Sequence, residues 1–361
     1  MAKAARKTRP APPPKPKRVT IRDVAARAEV DVSLVSRVLN NHPKASASPT
    51  TRERILEAAR TLGYQPNVVA RGLRMARTWT LGLMLPNLTN PMYAEIIRAA
   101  ELRARERGYG LVFGTHMDGE EDATFTRLLQ QGRVDGLLTA SGVHGDAFLR
   151  RVANGGFGPL VMINRRVRGV RPTVTLDDAA GAALAMEHFV ELGHTAVAGI
   201  FGPSDIDTTT RRRVGFAAAG ERAGLKPLLL DGDAVDAEAG AAVAARIFSE
   251  YPQTTAIFAS TFAIGMGVLR AARRLGVAIP EHVSLVALHD SELAEFLTPS
   301  LTTVALPVDE MAHQAVDVLI ALIDGAAPES VIVRTPPQLK LRGSTAKSRD
   351  VNRLTKPRRS A

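Results

Sequence analysis

The sequence predicts an all-α head of three short helices joined to an α/β body of two doubly wound lobes. Three observations lead there. Residues 19–65 carry helix caps and apolar positions at helical spacing; from Trp79 onward, short apolar runs alternate with amphipathic helices in two successive series; and charge is divided unevenly between the two parts. Through Arg77 the chain has 17 Lys and Arg against 5 Asp and Glu, from Thr78 to Gly343 its net charge is −6, and from Ser344 to Ala361 it is +5, within a total of +11. A basic head on an acidic body suits a protein whose one domain meets phosphates while the other does not. With 361 residues and 45% hydrophobic content, the chain has material for two or three domains and a sizeable core.

In the head, Thr20 and Asp23 stand three apart as a capping box, and the acidic residue suits the positive end of a helix dipole. The first helix is expected to run to about Arg27, with Val24, Ala25 and Ala28 on one face, where the small alanines let a second helix approach. Asp31 caps that second helix, whose apolar side is Leu34, Val35, Val38 and Leu39. Val32, Ser33, Ser36 and Arg37 are then left exposed near its N-terminus, the end that a recognition helix presents to base edges in the major groove, with Arg37 the strongest base reader. The third helix has Ser48 as cap, Pro49 at its first position, Ile55, Leu56, Ala59 and Leu62 as its apolar residues, and Gly63 as its stop.

These residues resemble the lactose-repressor (LacI/GalR) family of bacterial transcription regulators, through T-I-x-D-V-A from Thr20, V-S-x-V-S-R-V-L-N up to Asn40, T-R-x-R-I from Thr51, and L-G-Y-x-P-N up to Asn67. The resemblance extends from about Val19 to Arg342. It implies a helix-turn-helix DNA-binding domain over 19–65, with Thr20, Val32, Ser33, Ser36, Arg37, Asn40 and Asn67 at the DNA, and a hinge over 66–77. Val68 to Met75 is too short to be a stable helix alone in water, and Gly72 weakens it further. In the resembled family the hinge folds only against its dimer mate on operator DNA, and a leucine matching Leu73 wedges into the minor groove. One departure is Glu29, where the family usually has glycine; a positive φ at a non-glycine residue costs on the order of 1 kcal/mol. Residues 1–18, rich in Pro and Lys, are expected to be a disordered basic arm adding sequence-blind, salt-sensitive affinity, and 344–361 a disordered basic tail.

In the body, TLGLMLP, YGLVFGT, VDGLLTA and PLVMINR read as buried parallel strands, with helices over Pro91–Arg107, Ala123–Gln131 and Asp146–Ala153. The second series comprises Thr173–Leu176, Ala179–Leu192, AVAGIFG, Thr210–Ala223, Ala237–Ser249, TAIFAS, Ile264–Leu275 and VSLVALH, and a last helix over Val308–Asp324 returns to the first lobe. Chain crossovers fall near Asp177 and Leu306, and a ligand cleft belongs at the carboxyl ends of the strands. This pattern resembles the two-lobed periplasmic-binding-protein-like (type I) effector domain of the same family over 78–343, with N-P-x-Y-A-E, V-D-G-L, L-G-H, R-x-x-G-F and P-S-L-T-T-V as landmarks. By position in that resemblance, Tyr93, Asn164, Arg212, Phe262 and His289 face the effector. Acidic residues common at three pocket positions are missing: Asn164 stands in the first, Thr261–Phe262 replaces Asn–Asp, and Leu288–His289–Asp290 replaces an aromatic–Asp–Asp run.

No catalytic constellation emerges. There is no P-loop, H-E-x-x-H or G-x-S-x-G, and the glycines do not form G-x-G-x-x-G opening a helix. The chain has no cysteine, which excludes a disulfide framework and a thiolate metal site, and its eight histidines lack metal spacing; His188 and His194 read as a packing or surface pair, and Asp177–Asp178 as a helix start. No signal peptide or membrane span is apparent, so the expected location is the cytoplasm. The resulting expectation is a cofactor-free, metal-free regulator, a repressor, that binds a pseudo-palindromic operator as a homodimer under control of a small-molecule effector. No leucine heptad follows Gly343, so no tetramer built on a coiled coil is expected. A solute carrier or an α/β enzyme of similar fold is the alternative. For the effector, Arg212 and a cationic His289 favour an anionic metabolite such as a sugar acid. A pairing of Arg212 with Asp290 would instead leave a neutral ligand.

Overall fold

The structure, a computed structural model, describes residues 19–39, 46–64, 77–86, 88–115, 128–140, 149, 150, 153 and 158–349. The expected arm 1–18, Asn40, the hinge positions Asn67 and Leu73, most of the helices expected over Ala123–Gln131 and Asp146–Ala153, and residues 350–361 lie outside them. The chain divides into two compact units, Met1–Arg77 and Thr78–Ala361.

The first unit holds α1 (Ile21–Ala28), α2 (Val32–Leu39) and α3 (Pro49–Thr61). Local chemistry sets their ends. The backbone N–H and hydroxyl of Thr20 both donate to Asp23, each at 2.7 Å, Asp31 accepts the Ser33 N–H at 2.7 Å, and Ser48 accepts the Thr51 N–H at 3.1 Å. Between α1 and α2, Glu29 takes the left-handed conformation, φ 51° and ψ 47°, so the turn is built as a glycine turn with a glutamate in it. One apolar cluster joins the three helices: Val24, Ala25, Ala28, Val35, Val38, Ile55, Ala58 and Ala59. Leu56, expected in that stripe, is exposed instead. Ala58 holds the inward place, because i+3 from Ile55 lies on the buried face and i+1 does not.

The second unit is two six-stranded sheets. In chain order come β1 (Thr80–Leu85), α4 (Pro91–Glu106), β2 (Gly110–Thr115), β3 (Gly136–Thr139), β4 (Leu160–Ile163), β5 (Thr173–Thr175), α5 (Asp178–Glu191), β6 (Val197–Phe201), α6 (Asp207–Arg222), β7 (Leu228–Asp231), α7 (Ala237–Glu250), β8 (Ala256–Ala259), α8 (Phe262–Leu275), β9 (Ser284–Leu288), β10 (Thr302–Ala305), α9 (Val308–Ile323), β11 (Val331–Ile332) and β12 (Gln338–Lys340). The sheet orders are β11-β5-β4-β3-β1-β2 and β12-β10-β9-β8-β6-β7, with only β12 antiparallel to its neighbour. Helix α9 returns to the first lobe and packs on α4, β3 and β4, as expected. The inner strands are continuously apolar because helices cover both faces.

Two sequence expectations are corrected here. YGLVFGT is not a buried strand: β2 is an edge strand, with Val112 45% and Phe113 48% exposed. Residues 344–349 are not the start of a free tail. Ser344 is fully buried, its hydroxyl donates to Leu285 O at 2.6 Å, and Ser348 N donates to Leu192 O at 2.8 Å. His188 and His194, at the end of α5, receive this segment: His194 Nε2 lies 3.0 Å from Ala346 O and His188 Nε2 lies 3.2 Å from Thr345 Oγ1. They are a buried packing pair.

Two close approaches bring the functional residues together. A Cβ at Gly215 on α6 would overlap the backbone of Ala179, so only glycine lets α5 and α6 lie this near. At the start of β1, the Asp135 carboxylate accepts Thr78 N, Thr78 Oγ1 and Trp79 N at 2.6, 2.8 and 2.8 Å, which anchors the chain as it enters the body.

Candidate functional site

Each unit carries one site. In the head, the exposed side of α2 shows Val32, Ser33 and Arg37, with Ser36 half-buried at its margin. Among the described residues, Arg37 hydrogen-bonds only along its own helix, Nε to Ser33 O at 3.2 Å and Nη2 to Ser33 Oγ at 3.0 Å. Such exposed bonds exchange readily with water or a base edge, so the guanidinium is held loosely at the surface. Thr20 is exposed at the N-terminus of α1 with its hydroxyl occupied by Asp23.

In the body, the site forms where strands end. Asn164 follows β4, His289 follows β9, Tyr93 lies in the first turn of α4, and Arg212 projects from α6. Asn164 and His289 are buried and both adopt positive φ, 64° and 69°. Arg212 is buried and fully engaged: Nε donates to Asp178 Oδ1 at 2.6 Å, Nη1 to Ser260 O at 3.0 Å, and Nη2 meets His289 Nε2 at 2.9 Å. Arg211 engages Asp178 with Nη1, donates from the same atom to Leu176 O at 2.9 Å, and reaches Asn164 O with Nη2 at 2.8 Å. Burial raises the Asp178 carboxyl, but the charges of Arg212 and Arg211 outweigh it and hold the group below the usual carboxylate range.

His289 is not a cation. Burial first, then the neighbouring Arg212 charge, push its imidazole down to about 3, and Asp178 offsets only part of this. Because an arginine N–H can only donate, His289 Nε2 accepts and the proton sits on Nδ1, which has no partner among the described residues. Asn164 Oδ1 is likewise buried without a partner. Buried polar atoms are seldom left unpaired, so these two are the site's free donor and acceptor among the described residues. Tyr93 is half-buried against the main core; burial raises its hydroxyl to about 12, against the opposing charges of Arg212 and Arg165. Phe262 does not join the group. It is fully buried in the cluster of Ile200, Ile264 and Leu301, and its role is packing.

Nor does Arg212 pair with Asp290. That carboxylate accepts Arg342 at 2.9 Å and Thr303 at 2.6 Å. Sequence reasoning missed Asp178 and Arg211. The available signals were the Arg211–Arg212 doublet four and three residues before Gly215, and an acid at a helix start followed by Ala179, Ala180 and Gly181, small residues that announce close packing. Among the described residues no group of three or more His, Cys, Asp or Glu is arranged to hold a metal, and no helix is long and apolar enough to cross a membrane.

A head with an exposed recognition helix, followed by two parallel α/β lobes around an incomplete polar site, defines a ligand-binding fold fused to a DNA reader. Comparison with known proteins agrees. Residues 20–67 match the model for bacterial regulatory proteins of the lacI family, and 186–345 match a periplasmic binding protein-like domain. The chain is 32% identical to the HTH-type transcriptional repressor PurR of Erwinia tasmaniensis, over 91% of this chain and 97% of that one. It is 32% identical to the ribose operon repressor of Escherichia coli K12, over 90% and 99%. Among solved structures it resembles the lac repressor dimer bound to operator and the anti-inducer ONPF, with TM-score 0.77, 26% identity and 91% and 100% coverage. It also resembles a complex of the transcriptional regulator CelR with cellobiose, with TM-score 0.68, 30% identity and the same coverage. The chain belongs to the LacI family: it is a DNA-binding transcription regulator, not an enzyme, and the relatives named as repressors bear out the repressor reading.

Proposed function

We propose that the protein is a homodimeric repressor that holds a pseudo-palindromic operator through α2 of each copy and changes its grip when a small molecule fills the cleft between the lobes. The observation that carries this is the exposed face of α2, where, among the described residues, Arg37 is hydrogen-bonded only to its own helix. One short helix contacts too few base pairs for genomic specificity, and symmetry doubles the site. Val32, Ser33 and Arg37 read bases; Thr20, Ser36, Asn40 and Asn67 fix the register, and Leu73 opens the central step. The relatives point the same way, since one was solved as a dimer on its operator and another with a disaccharide.

For the effector, the unpartnered His289 Nδ1–H and Asn164 Oδ1 offer one donor and one acceptor, and both arginines of the site are already committed. This favours a neutral, hydroxyl-bearing ligand. An anionic effector such as a sugar acid is the second reading, supported by the positive charge that Arg212 and Arg165 both exert on Tyr93. Fluorescence anisotropy on an operator selected from random duplexes tests the whole. Arg37→Ala is expected to cost about 1–3 kcal/mol on the selected site and much less on random duplex. Neutral sugars are expected to shift the wild-type isotherm and sugar acids to leave it unchanged. Equal losses on both duplexes would remove Arg37 from base reading, and a shift by sugar acids alone would establish the anionic ligand.

A further inference from the structure

The Asp178 carboxylate is completely buried and shared by two consecutive arginines that reach into different lobes. Arg212 acts within the second lobe, where it fixes His289 at the end of β9. Arg211 crosses to the first, and its grip there is on backbone rather than side chains: the carbonyls of Asn164 and Leu176. A third tie closes the loop. Asp207, at the start of α6, accepts Arg211 Nε at 3.1 Å and the backbone N–H of Arg166 at 3.0 Å through the same oxygen. The segment 164–166 of the first lobe is therefore clasped from both ends by α6 of the second.

We propose that Arg211, held by Asp178 and Asp207, is a positioning residue that fastens the Asn164–Arg166 segment to the second lobe and so fixes the backbone that presents the unpartnered Asn164 Oδ1. The left-handed backbone of Asn164 fits this role. Asparagine tolerates this conformation better than other residues with a side chain, and the carbonyl bond to Arg211 together with the Asn164 N–H bond to Val174 O at 2.8 Å holds it. Because guanidinium is planar and forks its donors, it spans two carbonyls and two carboxylates at once, which a lysine cannot. Arg211 lies outside the R-x-x-G-F landmark that carries Arg212. The clasp also makes the backbone at Asn164 and Arg166 depend on where the second lobe stands. This inference rests on the reading of the cleft as the effector site.

Hydrogen exchange read by mass spectrometry on the full-length protein, with no ligand added, tests it. In Arg211→Met the amides of Asn164 and Arg166 are expected to exchange about tenfold faster. Arg211→Lys is expected to fall between wild type and Arg211→Met. Arg213→Met, which removes the pair with Asp231 and the stacking of the guanidinium over Phe201 but touches nothing in the 164–166 segment, is expected to leave these amides unchanged. Wild-type exchange at 164–166 in a folded Arg211→Met protein, or equal acceleration by Arg213→Met, would overturn the clasp. Should Arg211→Met fail to fold, Asp207→Ala decides in its place: acceleration confined to α6 would count against the proposal, acceleration at Arg166 for it. Because no effector enters the measurement, failure to find one would sink the effector reading and leave this result standing.

Discussion

The two sites of this protein treat their arginines in opposite ways. In the head, Arg37 is exposed and, among the described residues, hydrogen-bonded only to Ser33 one turn earlier, so its guanidinium can exchange that partner for another at small cost. In the body, Arg212 is buried and Arg211 largely so, and their donors are tied to Asp178, to Asp207 and to the carbonyls of Leu176, Asn164 and Ser260. A DNA reader must sample many sequences before one fits, and a loosely tethered side chain allows that. If the cleft works as proposed, converting occupancy into a lobe movement, it needs groups that cannot adjust independently. The contrast also assigns the cost of error: head substitutions should alter what is recognised, cleft substitutions whether the body folds.

The strongest way to break that contrast is Asp178→Ala. The buried Arg212 would lose its carboxylate and the partly buried Arg211 one of its two, and uncompensated burial of this kind costs about 3–5 kcal/mol. Urea unfolding should show the body transition displaced by that amount and the head transition unmoved; a displacement under about 1 kcal/mol would mean the cleft is as tolerant as the head. Smaller, and in the head, is Glu29→Gly. Relief of the left-handed glutamate is expected to stabilise α1–α2 by up to about 1 kcal/mol. Loss of stability in the head transition would contradict the strain assigned to that turn.

The smallest effect depends on pH. Burial, and after it the charge of Asp309, push the Glu95 carboxyl up to about 7; Arg98 opposes the rise and Asp290 adds to it. A carboxyl whose folded pKa lies above its unfolded value of about 4.3 binds its proton more tightly when folded. Stability from this group is thus present in mild acid and is lost as pH rises through about 7. Glu95→Gln is expected to melt above wild type at pH 8 and to lose that advantage at pH 5, a modest change because the side chain is partly solvated. A constant offset at both pH values in a thermal melt would show that charge is not the cause.

What could be read from sequence follows the same division. The caps at Thr20, Asp31 and Ser48 act on residues two or three positions away, so their chemistry is written locally, and the helices formed where those residues stand. Leu56 failed because a single position on a short helix does not fix which side of a wide stripe turns inward. Strand β2 failed because edge position is a property of the sheet, not of YGLVFGT. The cleft was least legible: Asp178 and Arg211 lie 33 residues apart, and Arg212 and His289 lie 77 apart. Resemblance located Arg212 and His289, yet the charge on His289 was misjudged because burial outweighs an unperturbed pKa. Residues 344–349 looked like solvated tail because the stretch from Ser344 onward carries +5, whereas Ser344, Thr345 and Ala346 are small enough to bond to Leu285, Thr302 and the two histidines.

The path of the chain between the lobes has a consequence for how the protein is made. The head is finished once α3 has left the ribosome, but neither sheet is. The first lobe lacks α9 and β11, and the second lacks β10, β12 and the closing segment at 344–349, all of which are translated near the end. At roughly 5–20 residues per second, a folded head would precede a complete body by some tens of seconds. During that interval a basic, DNA-competent module is tethered to a nascent chain whose apolar strands have no partners. The body offsets half of the head's charge, −6 against +12, before the basic segment 344–361, translated last, brings the finished chain to +11.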